Sequence, residues 1–412
     1  MQTSPASAHK PRIVFYLPVV TPWWFTTIVV PLIRAATRGG EVHVLVPPLW
    51  SSTGIRAEEL EACADLDVSW HILDYPDHSE LRFSQMRPEI VELVRQIDPD
   101  LCLCRSADIE TPSAFPGIVR YIMEAAANPF ATPYFNVQLC ERLFDHGMMP
   151  AIGAARGQWL EDRLAHQWAT KLAELPGMDR GEFLRRLGIA EDKILIGLPL
   201  EFEHDEVFWS QHGLHETNAD LIGAIADRLD DDTMLLATHH PINQRHPLPS
   251  SVAVELEALK RHDKVRIVQD IAGPGTATNL MLRHCDGMIV GHSKTFTTGA
   301  FLGKPMLHMS RFDVADWLGA YTDLQDFVAA LRSGTARAPT KADALRWFAF
   351  HHANTVIDPL SPELDLECLI DHAVNVVRPE RWERGLARYF GIDPRALPPM
   401  PADNELPARC AA

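Results

Sequence analysis

The stretch of residues 233–309 contains four short strand-like runs, MLLA (234–237), VRIV (265–268), GMIV (287–290) and KPML (304–307). Polar residues follow the first three runs at once: THHP (238–241), QD (269–270) and GHSKT (291–295). Continuous apolar runs of this length, separated by helix-length segments, are typical of parallel strands buried on both faces of a sheet. Ligands of such sheets bind beyond the carboxyl ends of the strands. The stretch therefore predicts a parallel α/β sheet with a binding site at those polar segments.

The same alternation of strand and helix patterns extends through the N-terminal third of the chain. The predicted strands are 13–17, 42–46, 68–72, 101–104 and 134–138, and the predicted helices are 28–37, 58–64, 88–97 and 115–127. This pattern predicts an open, mostly parallel sheet with helices on both faces. The first strand-to-helix turn, residues 18–27, lacks a G-x-G-x-x-G motif, so no dinucleotide site is predicted there.

A charged, helical segment separates the two alternating regions, and the second region opens with a predicted strand at 194–198. We predict an α/β fold with two Rossmann-like domains whose parallel sheets face a central cleft. The predicted divisions are an N-terminal domain (11–150), a helical connection (151–190), a C-terminal domain (191–340), C-terminal helices (341–395) and a flexible tail (396–412).

Composition narrows the classes of partner. A net charge of −17 over 412 residues argues against nucleic acid, whose binding needs a basic surface to displace counterions. The seven cysteines show no C-x-x-C spacing, which favours a reducing cytoplasm over a disulfide framework.

One uncharged segment, residues 13–33, resembles a signal anchor. Three prolines interrupt it, and this argues against a helix that crosses a membrane. Its aromatic run, residues 23–25, is open to two interpretations. The run could contact lipid or an acceptor, as a peripheral membrane protein would, or it could pack against neighbouring residues.

Three acidic residues, Glu201, Glu203 and Asp205, follow the predicted strand 194–198. In an extended chain they project on the same side, and crowded carboxylates raise one another's pKa, which suits general acid or base catalysis. The alternative is a solvated loop that enters a helix near Val207, whose N-terminus the acids favour. Periodicity alone leaves both interpretations open.

Histidine and hydroxyl side chains end two of the apolar runs. His240, before Pro241, could donate to a phosphate or protonate a leaving oxygen. Ser293 and Thr295 open a predicted helix, where they could cap it, bind an anion, or do both. His239, His240 and His246 have no further ligands at zinc-like spacing, and we predict no metal site.

These segments together resemble the capsule polysaccharide biosynthesis proteins, the group that contains the bacterial Kdo transferases. LPLEFEHD (198–205) is similar to the family's P-x-Q-x-E-x-D element, and His240-Pro241 is similar to its H-P motif. SKT (293–295) with Ala300 and GKP (303–305) is similar to its S-[ST]-x-G-x-E-A-x-x-x-G-K-P block. The motifs occur in the family's order and cover about residues 194–309, whereas the N-terminal half shows no match.

The resemblance implies a metal-independent GT-B glycosyltransferase, with the acceptor in the first domain and a nucleotide sugar, often CMP-linked, in the second. It places His240, Pro241, Ser293, Lys294 and Thr295 at the donor phosphate. Glu201, Glu203, Asp205 and His240 become candidates for catalysis. Three positions depart from the family pattern: Glu201 replaces a glutamine, Thr238 a lysine and Gly299 a glutamate.

The leading hypothesis is therefore transfer of a Kdo-like sugar from a CMP-linked donor to a bacterial surface polysaccharide or glycolipid. The reaction would need no other cofactor and would run in the cytoplasm or at the inner face of the membrane. A sugar-nucleotide epimerase on the same scaffold is the first alternative, since a fold does not determine a function. A non-catalytic polysaccharide assembly protein is the second, and the departures at Thr238 and Gly299 favour it.

Overall fold

The computed structural model describes residues 10–50, 52–125, 136–143, 154–175, 177–203, 212–242, 249–273, 275–375, 377–391, 393 and 395. These residues form two compact units. The first comprises the described residues within Met1–Ala125, Pro133–Leu143 and Thr355–Arg378, and the second those within Phe144–Asn354 and Pro379–Ala412. Each unit contains a largely or fully parallel sheet. The predicted α/β class, with two Rossmann-like domains built on parallel sheets, is thereby confirmed.

The sheet of the first unit has six strands in the order β3-β2-β1-β4-β5-β6. They are β1 Arg12–Tyr16, β2 Glu41–Val46, β3 Val68–Ile72, β4 Leu101–Arg105, β5 Ile118–Glu124 and β6 Val137–Cys140. β1 to β5 are parallel and β6 is antiparallel to β5. The central strand β1 is almost entirely buried, as its continuous apolar sequence predicts.

The helices of the first unit follow their strands in the predicted order. They are α1 Pro22–Trp24, a π-helical turn Phe25–Val29, α2 Val30–Thr37, α3 Ala57–Glu61 and α4 Pro88–Ile97, with short 3₁₀ helices at His78–Arg82 and Pro112–Ala114. Each of the two interpretations of the aromatic run after β1 fits part of that run. Trp24 and Phe25 are buried in the core, whereas half of the Trp23 surface is exposed.

The predicted helix at 115–127 is wrong, because this segment forms strand β5. Gly117, immediately before the strand, has φ +74°, and a Cβ there would lie 2.2 Å from the carbonyl oxygen of Pro99. The chain therefore turns sharply at a position that only glycine can occupy. The following residues are rich in β-branched and aromatic side chains, which favour the pleated surface of a sheet. The apolar residues fit either period, and pairing with β4 decides between them.

The sheet of the second unit has five parallel strands in the order β11-β10-β7-β8-β9. They are β7 Ile194–Pro199, β8 Thr233–Thr238, β9 Val265–Ile267, β10 Gly287–Val290 and β11 Met306–His308. All five correspond to runs that the sequence analysis identified as strands. β7 lies between β8 and β10, so the carboxyl ends of these three strands are neighbours.

The helices of the second unit are α5 Ala154–Ala173, α6 Arg180–Leu187, α7 Asn218–Ala226, α8 Pro249–Lys260, α9 Ala277–His284, α10 Phe296–Phe301, α11 Leu324–Ser333 and α12 Lys341–Phe350. Asp316–Leu318 is a 3₁₀ turn and His351–Thr355 is a π-helical turn. The chain then returns to the first unit, where α13 Leu366–Val374 packs against α2, β5 and β6, before α14 Pro379–Phe390 joins the second unit.

Among the described residues, no helix is both long and apolar enough to span a membrane. The described cysteines are all free, and five of them are buried.

Candidate functional site

The predicted site residues follow β7, β8 and β10, three adjacent strands at the carboxyl edge of the second sheet. Glu201 and Glu203 follow β7, His240 and Pro241 follow β8, and Ser293 to Thr295 follow β10. Asp205 lies outside the described residues. The parallel register brings the segments 200–203, 239–242 and 291–295 to one edge of the sheet.

Glu201 links β7 to the loop after β10. Its Oε1 accepts the backbone N–H of His292 at 3.0 Å, and the carboxylate also accepts the backbone N–H of Ser293. The backbone carbonyl of Glu201 accepts from Nδ2 of Asn218, in α7, at 3.0 Å. Three segments that are distant in sequence therefore meet at this residue.

Burial raises the pKa of Glu201 from its ordinary value of 4.5 to about 7. The two backbone N–H groups and the charge of Lys294 oppose this shift, but desolvation of the carboxylate outweighs them. A carboxyl group with this pKa is populated in both protonation states at neutral pH. That property suits a general acid or base, although a structural carboxylate can have it as well.

The polar side chains of the loop 291–295 make contacts other than the helix cap that the sequence predicts. α10 has only six residues, and its N-cap residue Thr295 makes no side-chain capping bond. The Ser293 Oγ instead accepts from the backbone N–H of Thr295 at 3.3 Å and from its hydroxyl at 2.9 Å. The carboxylate of Glu201 occupies the position at His292 and Ser293 where an anion would bind. Donor binding by Ser293, Lys294 and Thr295 stays a prediction.

Glu203 contacts the start of α7, a later helix than the one near Val207 that the alternative interpretation expects, and Val207 lies outside the described residues. Its Oε2 accepts the backbone N–H of Asn218, the first residue of α7, at 2.8 Å. A carboxylate at this position is stabilised by the helix dipole and satisfies one of the unpaired N–H groups. Glu201 and Glu203 are two residues apart, yet they bind different elements of the unit.

His240 lies beside the segment that follows β7. Its ring is tilted by 35° against the ring of Phe202, with 5.6 Å between the centroids. Its Nδ1 accepts the backbone N–H of Ile242 at 3.3 Å, so the neutral ring carries its proton on Nε2. His240 can therefore present an N–H donor as a neutral side chain. The adjacent His239 differs, because its Nε2 pairs with Glu255 at 2.8 Å.

His292 and Ser310 also belong to this edge, and neither was predicted from the sequence as a site residue. His292 is 7% exposed, and its Nε2 lies 2.9 Å from the Oγ of Ser310, which follows β11. The ring of His292 also contacts Phe312, with 5.6 Å between the centroids. Because His292 directly follows a predicted strand, the sequence could have identified it as a site residue. The sequence could not identify its partner, because Ser310 follows a different strand.

The departures from the family pattern have a structural basis at two positions. Thr238 is buried, and its Oγ1 lies 3.0 Å from the Oγ1 of Thr278 in α9. A Cβ at Gly299 would lie 2.1 Å from the Sδ of Met288 and 2.8 Å from the Cε of Met306. α10 thus packs directly against β10 and β11, and a glutamate at 299 would require these methionines to move.

A cavity of about 520 Å³ lies at the opposite, amino-terminal edge of this sheet and is lined by several cations. Those cationic side chains form hydrogen bonds or ion pairs within the protein. Lys304 donates to the carbonyls of Arg283 and Cys285, Arg332 pairs with Asp230 and Asp232, and Arg180 pairs with Asp286. The contacts indicate that the cavity residues hold the amino ends of the strands together.

Among the residues that the structure describes, no group of three or more His, Cys, Asp or Glu side chains is placed to hold a metal ion. His246, one of the three histidines near the end of β8, lies outside those residues.

No protein-family model matches the sequence, and no curated protein matches it significantly. The chain is similar to Thermosulfurimonas dismutans KpsC, a beta Kdo 2,7 transferase, at 12% identity over 89% of this chain and 99% of that one, with a TM-score of 0.39. It is also similar to a glycosyltransferase from Rickettsia africae ESF-5, at 10% identity over 89% and 99% of the two chains, with a TM-score of 0.35.

A third similar structure is the Methanocaldococcus jannaschii UDP-GlcNAc 2-epimerase in complex with UDP-GlcNAc and UDP, at 11% identity over 82% of this chain and 97% of that one, with a TM-score of 0.28. At these identities and TM-scores, the likenesses carry no argument about activity.

Proposed function

We propose that this protein is a glycosyltransferase that moves a Kdo-like sugar from a CMP-linked donor to a bacterial surface polysaccharide or glycolipid. The observation that carries the proposal is the position of Glu201. This carboxyl group lies at the carboxyl edge of a parallel sheet, has a pKa of about 7, and contacts the loop that the family resemblance assigns to the donor phosphate.

In the proposed reaction Glu201 acts as the general base. Its ionised form accepts the proton of the attacking acceptor hydroxyl as the bond from that oxygen to the donor sugar forms. The bond between the sugar and the phosphate breaks in the same step, and the nucleotide leaves with the electron pair. His240, through its Nε2–H, and Lys294 stabilise the negative charge that develops on the phosphate. No metal is part of the proposal, because these two groups offset that charge.

The proposal also includes a cytoplasmic location, with peripheral contact at the inner face of the membrane. The free cysteines are compatible with a reducing compartment. Half of the Trp23 surface is exposed, and this exposed aromatic surface supports contact with a lipid or an acceptor.

Nucleotide binding tests the donor site directly. Thermal unfolding would be measured with CMP, CDP, UDP and GDP for the wild type, His240→Ala and the control His239→Ala. A ligand that binds only the folded protein raises the unfolding temperature. We expect one nucleotide, CMP, to stabilise the wild type and His239→Ala but not His240→Ala. The control is matched because His239 is the neighbouring residue but pairs with Glu255. Stabilisation by no nucleotide would contradict the proposed donor site.

The non-catalytic alternative has one specific observation in its favour. The packing of Met288 and Met306 leaves no room at Gly299 for the carboxylate that the family pattern carries. A transfer assay with a CMP-linked sugar, supported by the Glu201→Gln variant, separates the two functions. The transferase is supported if the wild type releases CMP and the Glu201→Gln variant releases less of it. Nucleotide binding without any turnover would support an assembly protein.

A further inference from the structure

Helix α8 exposes a stripe of large apolar side chains to solvent. Val252, Leu256 and Leu259 are 57%, 55% and 70% exposed, and they are spaced four and three residues apart. Residues at this spacing lie on one face of a helix. Single exposed apolar residues are ordinary on a protein surface, whereas three large aliphatic side chains in one line indicate a surface that contacts a partner.

The opposite face of α8 packs in the core of the second unit. Val254 and Ala258 are buried there, in the same cluster as Leu229 and Leu235. The helix also packs against α7 and against β9, the edge strand of the second sheet. α8 is therefore apolar on two opposite faces, and the described residues of the unit bury only one of them. A surface helix that contacts nothing else needs an apolar face only on its inner side.

The spacing of the outer face is that of a coiled-coil seam. If Leu256 is position a of a heptad, Val252 and Leu259 both occupy position d. Two such helices pack side by side through their a and d residues, and the residues at e and g lie along the two sides of the seam. In α8 position g is Glu255 and the following position e is Lys260.

These two charged residues determine which orientation of a helix pair fits. In a parallel pair, g of one helix lies beside the next e of the other, so each Glu255 faces Lys260 of the second copy, and the two-fold axis repeats this contact. An antiparallel pair would instead bring the two copies of Glu255 together. The side chains of Glu255 and Lys260 are 49% and 72% exposed. Their ion pairs within the chain, with His239 and Glu257, lie at the surface and contribute little to stability.

We propose that α8 is a homodimerisation surface, on which a second copy of this chain packs its own α8 in parallel orientation. The seam has one a and two d residues, so the interface is smaller than a standard one and the dimer is in equilibrium with the monomer. The net charge of −17 on each copy adds a long-range repulsion, which the two contacts between Glu255 and Lys260 offset locally. This surface belongs to the second unit, and its assignment does not depend on the proposed function.

Sedimentation equilibrium of the full chain tests this surface. Concentrations from about 1 µM to about 1 mM cover the range in which weak dimers dissociate. We expect the wild type to populate a dimer and Leu256→Gln to weaken the association about tenfold or more, because the amide would have to be desolvated at position a. Leu360→Gln is the matched control, since Leu360 is as exposed as Leu259 but lies in the first unit, and it should associate as the wild type does.

Charge reversal tests the parallel orientation. Glu255→Lys and Lys260→Glu each place like charges on both sides of the seam, so each variant alone should associate more weakly than the wild type. An equimolar mixture of the two variants restores opposite charges at both contacts. The mixture should therefore associate more strongly than either variant alone. Thermal unfolding of each variant verifies that it is folded.

The proposal is overturned if the wild type is monomeric throughout this concentration range, or if folded Leu256→Gln dimerises as the wild type does. A mixture of the charge variants that associates no more strongly than either variant alone would overturn the parallel pairing. If a monomeric wild type sediments with vesicles of phosphatidylethanolamine and phosphatidylglycerol and Leu256→Gln does not, a lipid surface covers the stripe and the homodimer is excluded.

Discussion

The carboxylate of Glu201 accepts backbone N–H groups, and yet burial raises its pKa to about 7, which affects stability as well as chemistry. Its folded-state pKa of about 7 lies above the ordinary value of 4.5, so the folded protein binds this proton more tightly than the unfolded chain does. The contribution is present below about pH 4.5 and is lost as the pH rises through 7.

Glu201→Gln should remove this pH-dependent loss of stability. The glutamine side-chain oxygen can still accept from the His292 N–H, and it carries no charge to desolvate. The free energy of unfolding of the variant minus that of the wild type should be about 1–2 kcal/mol larger at pH 8 than at pH 5. This is less than the full pKa difference would give, because the side chain is only partly buried. Urea unfolding of both proteins at the two pH values measures the change. An equal difference at both values would contradict the raised pKa.

Gly299 is predicted to be needed for packing. In Gly299→Ala the added methyl group meets Met288 and Met306, and we expect a loss of about 1–3 kcal/mol in the free energy of unfolding. Gly177→Ala is the control, because a Cβ there meets nothing within 4 Å, and it should change stability by less than about 0.5 kcal/mol. The double variant Gly299→Ala with Met288→Ala should be less destabilised than the sum of the two single variants, because the shorter side chain leaves room for the added methyl group. Equal effects at 299 and 177 would contradict this assignment.

At the scale of elements, the buried pair Arg87–Asp108 connects the loop after β3 with the loop after β4. Besides Asp108, Arg87 donates to the backbone carbonyls of Glu80 and Phe83, so one side chain fixes the course of an irregular segment. Such loops have few repeating backbone bonds of their own, and buried side-chain bonds replace them.

Asp108→Ala should cost about 3–5 kcal/mol, because it leaves the guanidinium group of Arg87 buried without its carboxylate. The double variant Arg87→Met with Asp108→Ala should be less destabilised than the sum of the two single variants. Arg34→Ala is the control, since Arg34 and Asp65 form an exposed pair, and it should cost less than about 1 kcal/mol. Urea unfolding measures all four. Additive losses at Arg87 and Asp108 would argue against coupling.

At the scale of the whole molecule, the two units are not consecutive in the chain. Residues 355–378 return to the first unit, where Leu369 of α13 is fully buried in the same core as Phe15 and Leu103. α14 then belongs to the second unit, where its Trp382 contacts Phe350 of α12 with 5.4 Å between the ring centroids. A late segment of the chain therefore completes an early core.

Hydrogen exchange should reveal this arrangement. Leu369→Ala removes a buried side chain from the first core and should destabilise it by about 2–5 kcal/mol. Amide protection should then fall in β1 and β4, far away in sequence, more than in β7 and β8. Leu386→Ala, at an equally buried position in α14, should do the reverse. Loss of protection confined to residues near the substitution would contradict the division into these two units.

Much of the fold follows from local sequence patterns. The five strands of the second sheet and four of the six in the first coincide closely with the predicted strands. The reason is clearest for β1, β8 and β10, because a strand buried on both faces must be continuously apolar whatever its neighbours are. The segment 118–124 was assigned wrongly because its apolar residues satisfy both periods. Only its alignment beside β4, after the turn at Gly117, selects a strand.

For the candidate site too, the sequence determined one part and the tertiary structure decided the rest. The sequence alone determined which polar segments lie at the carboxyl edge of the second sheet, since the direction of a parallel strand places its end. Only the tertiary structure decided that Glu201 binds the N–H groups after β10, that Glu203 binds the start of α7, and that His292 pairs with Ser310. The physical reason is that a hydrogen-bond partner or a desolvated environment comes from residues distant in the chain, and their identity depends on strand order.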